Sequence, residues 1–271
     1  MDNLGQIMVR GLNPRSMAAT SALSQALDRF FSGWLNPICW HVSHSYYQER
    51  GDRIYVIYAG GDDLFVVGPW DVMPLLATEI QKAFAAYVGY NPNVHISAGI
   101  TLEDRKFPLY QAAKRAGQAE EAAKKHIRGR IEKDAINFLD LSVKWDEWFQ
   151  EVLPRWKVIV ELVDQQKVPK ALIRVLRDIH AQHEDQIRRQ NEAMQQRGDP
   201  IPDEPAYQIY YGPWMWREAY ALTRMAKRLE DKSARDEVLK LQVAILSPAA
   251  IRALGLAARW AELLTREERE S

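Results

Sequence analysis

The sequence predicts an α+β protein in which a mixed domain is followed by an all-helical one. Two short β-rich runs flank the tetrapeptide Gly60-Gly61-Asp62-Asp63, which is typical of a hairpin. Apolar residues recur at three- and four-residue spacing on both sides of that hairpin. Beyond it, the second half of the chain carries almost only helical patterns. We therefore place one domain at residues 1–138 and a helical bundle at residues 139–271.

The elements of the first domain follow in a simple order. Leu23, Leu27, Phe30 and Phe31 have helical spacing. The aromatic and β-branched run from Trp40 to Tyr47 favours a strand, which we leave out of the order below. The pattern predicts helices over Ser16–Leu35, Asp71–Tyr87 and Pro108–His126, and strands over Arg53–Tyr58, Leu64–Val67 and Val94–Thr101, with a four-residue hairpin loop.

Helix, strand, strand, helix, strand, helix is a ferredoxin-like βαββαβ pattern without its first strand and with a helix added at the end. The segment Met1–Gly5 stands where that strand would be ending. In the second domain we expect helices over Val143–Gln166, Pro169–Gln196 and Pro213–Glu230, with a break at Pro154.

Composition narrows the function classes. Lys plus Arg and Asp plus Glu are both 36, so the net charge does not indicate a strongly basic nucleic-acid binder. One cysteine, Cys39, excludes a disulfide framework and a cysteine-based zinc site. We see no signal peptide and no membrane-spanning run, and we expect a cytoplasmic protein without a membrane partner.

The chemistry is concentrated at Gly60-Gly61-Asp62-Asp63. Adjacent carboxylates at a hairpin tip repel each other unless a cation lies between them, and Mg²⁺ in nucleotide sites takes one or two carboxylates plus phosphates. Two such ions stabilise the attacking and leaving oxygens of phosphoryl transfer. The alternative is an ordinary Asp-rich turn, because Asp and Gly are common turn formers.

Several segments resemble the second palm domain of the large subunit of type III CRISPR interference complexes, a relative of the GGDEF nucleotide cyclases. The hairpin tetrapeptide matches its Gly-Gly-Asp-Asp, and Asp2-Asn3-Leu4-Gly5 resembles its Asp-x-Asp-Asn-Leu-Gly, whose leading Asp would lie one residue before Met1. Gln25 stands where the family usually has Arg. Similar segments also lie at Leu23-Ser24, Phe30-Phe31, Gly68-Pro69-Trp70, Ser97–Ile100, Ala123-Lys124 and Ile136–Trp148, so the resemblance covers roughly residues 2–148.

The resemblance implies a metal-dependent nucleotidyltransferase that converts ATP to cyclic oligoadenylates when the complex binds target RNA. Asp62 and Asp63 would be catalytic and, with Asp2, would hold Mg²⁺ or Mn²⁺. The nucleotide would be bound by Asn3, Leu4, Gly5, Ser24, Gly60, Gly61 and Lys124. Each has a plainer alternative: Asp2 as a solvated acid, Ser24 as an ordinary helix residue, and Lys124 as a cation at a helix end.

The resemblance also implies partners. These are the backbone and small helical subunits of the complex, its guide and target RNA, and a chain or segment that supplies the first palm and the missing strand. The family's nuclease-like domain, first palm and zinc-binding region have no match here, so we expect this chain alone to be inactive as a cyclase.

Two other readings stay open. The palm can serve as a non-catalytic scaffold whose helical domain docks small subunits along the guide–target duplex. A stand-alone GGDEF-type dinucleotide cyclase is disfavoured by the helical tail and by Asp63 where that family has Glu.

Three groups of residues in the helical domain each allow a functional and a plainer interpretation. His180 and His183 have the spacing of a metal pair, but without a surrounding zinc motif a solvated helix face is favoured. Tryptophans at helical spacing can stack on bases but more often form a core. Arginines interspersed with acids favour a mixed solvated face over an RNA-facing groove. The tryptophans are Trp145, Trp148, Trp156, Trp214 and Trp216, and the arginines are Arg174, Arg177, Arg188 and Arg189.

Overall fold

The computed structural model describes residues 1–12, 16–46, 53–129, 132–202, 204, 208, 212–244 and 246–266. It is mostly helical with two small sheets, and it divides into two compact units. The first unit comprises residues 1–126 and 131–142, and the second comprises residues 127–130 and 143–271. None of the helices in the described part of the chain combines the length and the apolar character that a membrane crossing requires.

The first unit begins with helical segments. Helix α1 (Leu4–Gln6) continues into a π-helical turn (Ile7–Gly11), and α2 (Met17–Asp28) continues through a second π-helical turn (Arg29–Trp34) into α3 (Leu35–Tyr46). The predicted strand at Trp40–Tyr47 is therefore wrong over its described residues. Leu35, Cys39 and Val42 recur at helical spacing and are all buried, so tertiary packing overrides the β propensity of the run.

The hairpin is confirmed but is tighter than expected. Strands β1 (Tyr55–Gly60) and β2 (Asp63–Val67) pair antiparallel, with Gly60 opposite Asp63, so the loop has two residues rather than four. Ile57 is the extra residue of a β-bulge, because Val56 pairs with Val66 and Tyr58 with Phe65. The hairpin forms a two-stranded sheet.

The second sheet has the order β3-β4-β5. Strand β3 (Ala98–Ile100) is shorter than predicted and pairs parallel to β4 (Ala135–Phe138). Helices α4 (Met73–Tyr87) and α5 (Leu109–Lys125) confirm two predicted helices. Strands β4 and β5 (Leu141–Lys144) were not predicted, and the first part of the predicted helix at Val143–Gln166 is in fact strand.

The core of the first unit lies between α2, α3, α4 and the hairpin. Phe30 is fully buried and meets Phe84 edge to face, with ring centroids 5.1 Å apart. Gly99 lies directly against α5, since a Cβ there would come within 2.2 Å of the Glu120 backbone nitrogen. This contact sets the separation of β3 from α5, which carries Lys124.

The second unit is helical. Short α6 (Trp145–Glu147) continues through a π-helical turn (Trp148–Val152) into α7 (Leu153–Asp164), followed by α8 (Ala171–Arg197), α9 (Pro213–Ala226), α10 (Lys232–Ala244) and α11 (Pro248–Arg266). The break expected at Pro154 does not occur. Pro154 stands in the first turn of α7, where a missing N–H is tolerated, directly after the π-helical turn.

Tryptophans form the core of this unit, as the plainer reading predicted. Trp260 on α11 stacks on Trp156 at 4.0 Å and on Trp148 at 5.7 Å. Trp145 and Trp214 are also buried, whereas Trp216 is 80% exposed. The solvated face expected for His180 and His183 is wrong: His183 is buried, and the His180 ring packs against Gly255 of α11.

Candidate active site at the hairpin turn

The site begins with the turn of the β1–β2 hairpin. Gly61 has φ +63°, a backbone conformation that favours glycine, and a Cβ on it would meet nothing within 4 Å. The turn is therefore open to an approaching group. Asp62 is the second residue of the turn and is partly exposed, while Asp63 is the first residue of β2 and is exposed. Gly60 ends β1.

Met1 and Asp2 connect this turn to the segment before β3. The main-chain nitrogen of Met1 donates to the carbonyl of Asp62, and the main-chain N–H of Asp2 donates to the carbonyl of His95 at 2.9 Å. The first two residues thus lie between the hairpin turn and the approach to β3. These two places belong to different sheets.

Asp2 is buried and strongly held. Its Oδ2 accepts from His95 Nδ1 at 2.8 Å, from Ser97 Oγ at 2.8 Å and from the main-chain N–H of Asp134 at 3.3 Å. Because a carboxylate only accepts, Nδ1 is the protonated nitrogen of His95. Burial raises the pKa of Asp2, but the hydrogen bonds from His95 and Ser97 outweigh it and hold that pKa below its usual value.

The other oxygen of this carboxylate is different. Asp2 Oδ1 is buried and has no hydrogen-bond partner among the described residues. A buried ionised oxygen without a partner is costly unless a cation or donor reaches it. The plainer alternative for Asp2, a solvated acid, is therefore wrong, and Asp2 has an oxygen available for a metal.

Asn3 has a left-handed backbone, with φ 57°, and caps α1, in which Leu4 and Gly5 are the first two residues. Its side-chain oxygen accepts from the ammonium of Lys133. Lys133 and the next residue, Asp134, both have positive φ, 58° and 48°. Positive φ is uncommon for residues other than glycine, and here it turns the chain so that Lys133 reaches Asn3 and the main-chain N–H of Asp134 reaches Asp2.

Lys124 stands near the C-terminal end of α5 and pairs with Glu120 at 2.6 Å. Burial lowers the pKa of Lys124, but the hydrogen bond that Lys124 donates to Glu120 and the negative charges of Glu120, Asp2 and Asp63 raise it overall. Lys124 therefore lies in the electrostatic field of two of the candidate carboxylates.

The predicted residues are not all gathered at one point. Ser24 lines an open groove of about 590 Å³ together with Met8, Ser16, Met17, Thr20, Ser21 and Gln25, and no hairpin residue lines that groove. Four residues that the sequence analysis did not assign to the site contact its members: His95, Ser97, Lys133 and Asp134. The spacing of His95 and Ser97, which places both on one face of an extended segment, was the available signal.

The carboxylates fit a divalent cation that arrives with a nucleotide. Among the described residues, no three His, Cys, Asp or Glu side chains are close enough to form a metal centre by themselves. Mg²⁺ in nucleotide sites usually takes only one or two carboxylates and completes its shell with phosphates and water. The unpartnered Asp2 Oδ1 and the exposed Asp63 suit that arrangement.

Comparison with known proteins identifies the family to which this chain belongs. Residues 1–136 match the family model described as Cas10/Cmr2, second palm domain. The chain is 34% identical over 158 residues to the Cas10/Csm1 protein of Methanocaldococcus jannaschii, named as a CRISPR system single-strand-specific deoxyribonuclease of subtype III-A. That match covers 54% of this chain and 20% of the relative.

Two further comparisons agree. The Enterococcus italicus protein of the same name is 34% identical over 133 residues, which cover 48% of this chain and 16% of that protein. A solved structure described as a Csm1-Csm4 cassette in complex with one ATP matches 94% of this chain and 34% of its own chain, with a TM-score of 0.52 and 21% identity, and supports the fold. The chain spans about a fifth of the length of these curated relatives. It belongs to the Cas10/Cmr2 family, and residues 1–136 are its second palm domain.

Proposed function

We propose that this chain is part of an RNA-guided type III CRISPR effector complex. Its palm, completed by parts from another segment or chain, converts ATP to cyclic oligoadenylates when the complex binds target RNA. The observation that carries the proposal is the buried Asp2 carboxylate, which has one unpartnered oxygen. The negative charges of Asp2 and Asp63 both act on the ammonium of Lys124. The deoxyribonuclease name belongs to the relatives, and the cyclase proposal takes the Asp2 carboxylate together with Asp62 and Asp63 of the Gly-Gly-Asp-Asp motif as one metal site.

Each residue has a separate role in the proposed reaction. Asp62, Asp63 and Asp2 would hold Mg²⁺ or Mn²⁺, which supplies charge stabilisation to the phosphates. The open turn at Gly61, which follows Gly60 at the end of β1, would admit the triphosphate close to the backbone, and Asn3, Leu4 and Gly5 would contact phosphates through main-chain N–H groups. Lys124 and Lys133 would neutralise triphosphate charge. Ser24 would contact the nucleotide from the α2 groove.

The protein has little covalent chemistry to perform in this reaction. A 3′-hydroxyl attacks the α-phosphorus, and pyrophosphate leaves with the electron pair of the broken P–O bond. Positioning and charge stabilisation then account for most of the rate. The hydrogen bonds from His95 and Ser97 would keep Asp2 ionised and in a fixed orientation throughout.

The division of the strands into two sheets supports a completing strand from elsewhere. In a ferredoxin-like sheet the first strand is central, and here the hairpin and β3 are not hydrogen-bonded to each other. Met1 and Asp2 lie between them. We propose that a strand from another segment or chain completes the sheet, and that the isolated chain does not polymerise ATP.

The test is ATP conversion by the reconstituted complex, with and without target RNA. Asp62→Ala/Asp63→Ala should abolish the product, a loss of at least about a thousandfold, while target binding stays intact. Asp236→Ala/Glu237→Ala, another adjacent acidic pair on α10, is the matched control and should leave conversion unchanged.

A second candidate function is a scaffold, and the separation of the two sheets is the observation that favours it. Under that reading the complex binds target RNA but forms no cyclic product. Both acidic double variants then bind target RNA as well as the unmodified complex does, and neither changes ATP conversion. Product formation by the isolated 271-residue chain would contradict the requirement for a completing segment.

A further inference from the structure

The helical unit carries a cationic groove that none of the palm chemistry uses. The groove has a volume of about 450 Å³ and lies between the first turns of α8 and the end of α11. Four cationic side chains and two carboxylates line it, which leaves two positive charges in excess. The cations are Lys170, Arg174, Arg177 and Arg266, the carboxylates are Asp178 and Glu262, and the lining is completed by Ile173 and Thr265.

The cations are held in place but keep free donors. Glu262 accepts from Arg177 and, at 2.8 Å, from Arg266, so one carboxylate orients two guanidinium groups. Lys170 donates to the main-chain oxygen of Thr265 at 3.0 Å. A guanidinium has five N–H donors and an ammonium has three, so each side chain can also bind an external oxygen. The groove is therefore pre-organised for anions.

The spacing of the cations suits a chain of phosphates. Lys170, Arg174 and Arg177 follow one another at intervals of four and three residues along one side of α8. At about 1.5 Å per residue they span about 10 Å. Measured along the axis of a B-form duplex, one strand carries a phosphate about every 3.4 Å. Because the backbone winds round that axis, successive phosphates lie farther apart in space than this, and the row would face about two of them.

We propose that this groove binds the phosphate backbone of a nucleic acid without reading its sequence. Arg174 pairs with Asp178 at 3.8 Å but keeps 86% of its side chain exposed, so it provides the most accessible guanidinium of the groove, and Arg177 is held beside it by Glu262. No aromatic residue is among the groove's described lining, so bases have nothing to stack on, and recognition is electrostatic. An acidic protein segment carries its carboxylates at irregular intervals, whereas a nucleic acid presents a phosphate at every nucleotide, so the excess of positive charge favours the nucleic acid.

The chain offers a matched control on the same helix. Arg188 and Arg189 both pair with Asp185, outside the groove, and both are about 70% exposed. Replacing either pair of arginines removes the same charge from the same helix. Any difference in nucleic-acid binding between the two double variants therefore reports position and not net charge.

The test measures binding of the 271-residue chain to labelled single-stranded and double-stranded RNA by fluorescence anisotropy at several salt concentrations. Arg174→Gln/Arg177→Gln should weaken binding about tenfold at low salt and lower the salt slope by about 1–2, whereas Arg188→Gln/Arg189→Gln should change Kd less than about twofold. The two RNAs show which backbone is preferred, and scrambled sequences should bind equally.

Three results would overturn the proposal. These are no RNA binding at low salt, equal weakening by both double variants, or groove-dependent binding of polyglutamate in place of RNA, which would assign the groove to an acidic protein partner. Unfolding temperatures within about 2 °C of the unmodified chain establish that the variants are folded. If Arg174→Gln/Arg177→Gln fails that check, the exposed Arg174→Gln alone replaces it.

Discussion

Each of the two units buries a titratable group, but the buried group is charged in the first unit and neutral in the second. In the first unit, Asp2 is buried but surrounded by donors, so its pKa falls and it stays ionised. In the second unit, burial lowers the pKa of His180 to about 4, so its imidazole is neutral near pH 7. Burial opposes charge in both units, and the donors around the group decide the outcome. Asp2 therefore keeps its charge with one oxygen unpartnered, whereas His180, whose Nε2 also has no hydrogen-bond partner among the described residues, is neutral and packs against Gly255.

Four experiments sharpen this contrast, and the largest effect is expected at Gly99 in the first unit. A Cβ there would lie 2.2 Å from the Glu120 nitrogen and 2.6 Å from the Ala116 oxygen, both backbone atoms of α5. We expect Gly99→Ala to destabilise the unit by about 3–5 kcal/mol. Urea unfolding followed by hydrogen exchange of α5 measures it.

Gly117→Ala is the control for that experiment. Gly117 lies within α5 with open space around a Cβ, so alanine there should stabilise the helix by about 0.5–1 kcal/mol. A Gly99→Ala chain as stable as the unmodified one would show that β3 and α5 are not packed as closely as described.

The matching position in the second unit is Gly255 on α11. A Cβ there would meet the His180 ring at 2.2 Å, but a side chain yields more readily than backbone. We expect Gly255→Ala to cost about 2–3 kcal/mol of the free energy of unfolding. The double variant His180→Ala/Gly255→Ala should recover part of that loss, and a strictly additive result would contradict direct contact.

The stability of the two units should depend on pH in different ranges, and His180 sets the range for the second unit. His180 is neutral in the folded state with a pKa of about 4 and has an ordinary pKa near 6.5 when unfolded. Its contribution is fully present above pH 6.5. As the pH falls from 6.5 towards 4, the unfolded state takes up the proton first, and about 3 kcal/mol of stability is lost by pH 4. Glu184, Arg252, His183 and Arg259 are the charged or titratable groups around it.

Hydrogen exchange at pH 7 and pH 5, corrected for intrinsic rates, checks this. Protection of α8 and α11 should fall at pH 5, while Asp2 keeps its stabilising charge until the pH drops below about 4, through its lowered pKa. In a His180→Gln chain the pH dependence of α8 and α11 should flatten. Equal pH dependence in both chains would mean that His180 is not responsible.

The smallest of the four effects concerns Asp2. Asp2→Asn keeps the shape of the side chain but loses the charge that strengthens its hydrogen bonds with His95 and Ser97. We expect a loss of about 1–2 kcal/mol in urea unfolding. Asp236→Asn, an exposed residue on α10, should change stability by less than about 0.5 kcal/mol. A neutral effect of Asp2→Asn would mean that the carboxylate need not be ionised.

Sequence reasoning succeeded where a pattern was local. The hairpin, α4 and α5 each carry their own periodicity or turn residues, and the Gly-Gly-Asp-Asp motif is contiguous. The strand predicted at Trp40–Tyr47 is wrong over its described residues, because Leu35, Cys39 and Val42 recur at helical spacing and are buried in the core. Strands β4 and β5 were missed because their two-residue loop is Leu139-Asp140, both with positive φ, instead of the usual Asn-Gly.

The candidate site was predictable only in part for the same reason. Asp62 and Asp63 are neighbours in the chain, but the partners of Asp2 come from residues about 93 to 132 positions away. Lys133 reaches Asn3 through a left-handed segment that no propensity indicates. His180 was misassigned because the residue that covers it, Gly255, lies on a distant helix.

Cys39, buried in the core of the first unit, has a practical consequence for chemical labelling. It is the chain's only cysteine and is 7% exposed, so thiol reagents should reach it only when that core opens. The rate at which a thiol reagent modifies Cys39 therefore reports how often the core of the palm opens. A second cysteine placed on an exposed residue such as Tyr90 would react first, so a single fluorophore can be attached without removing any natural residue of the core.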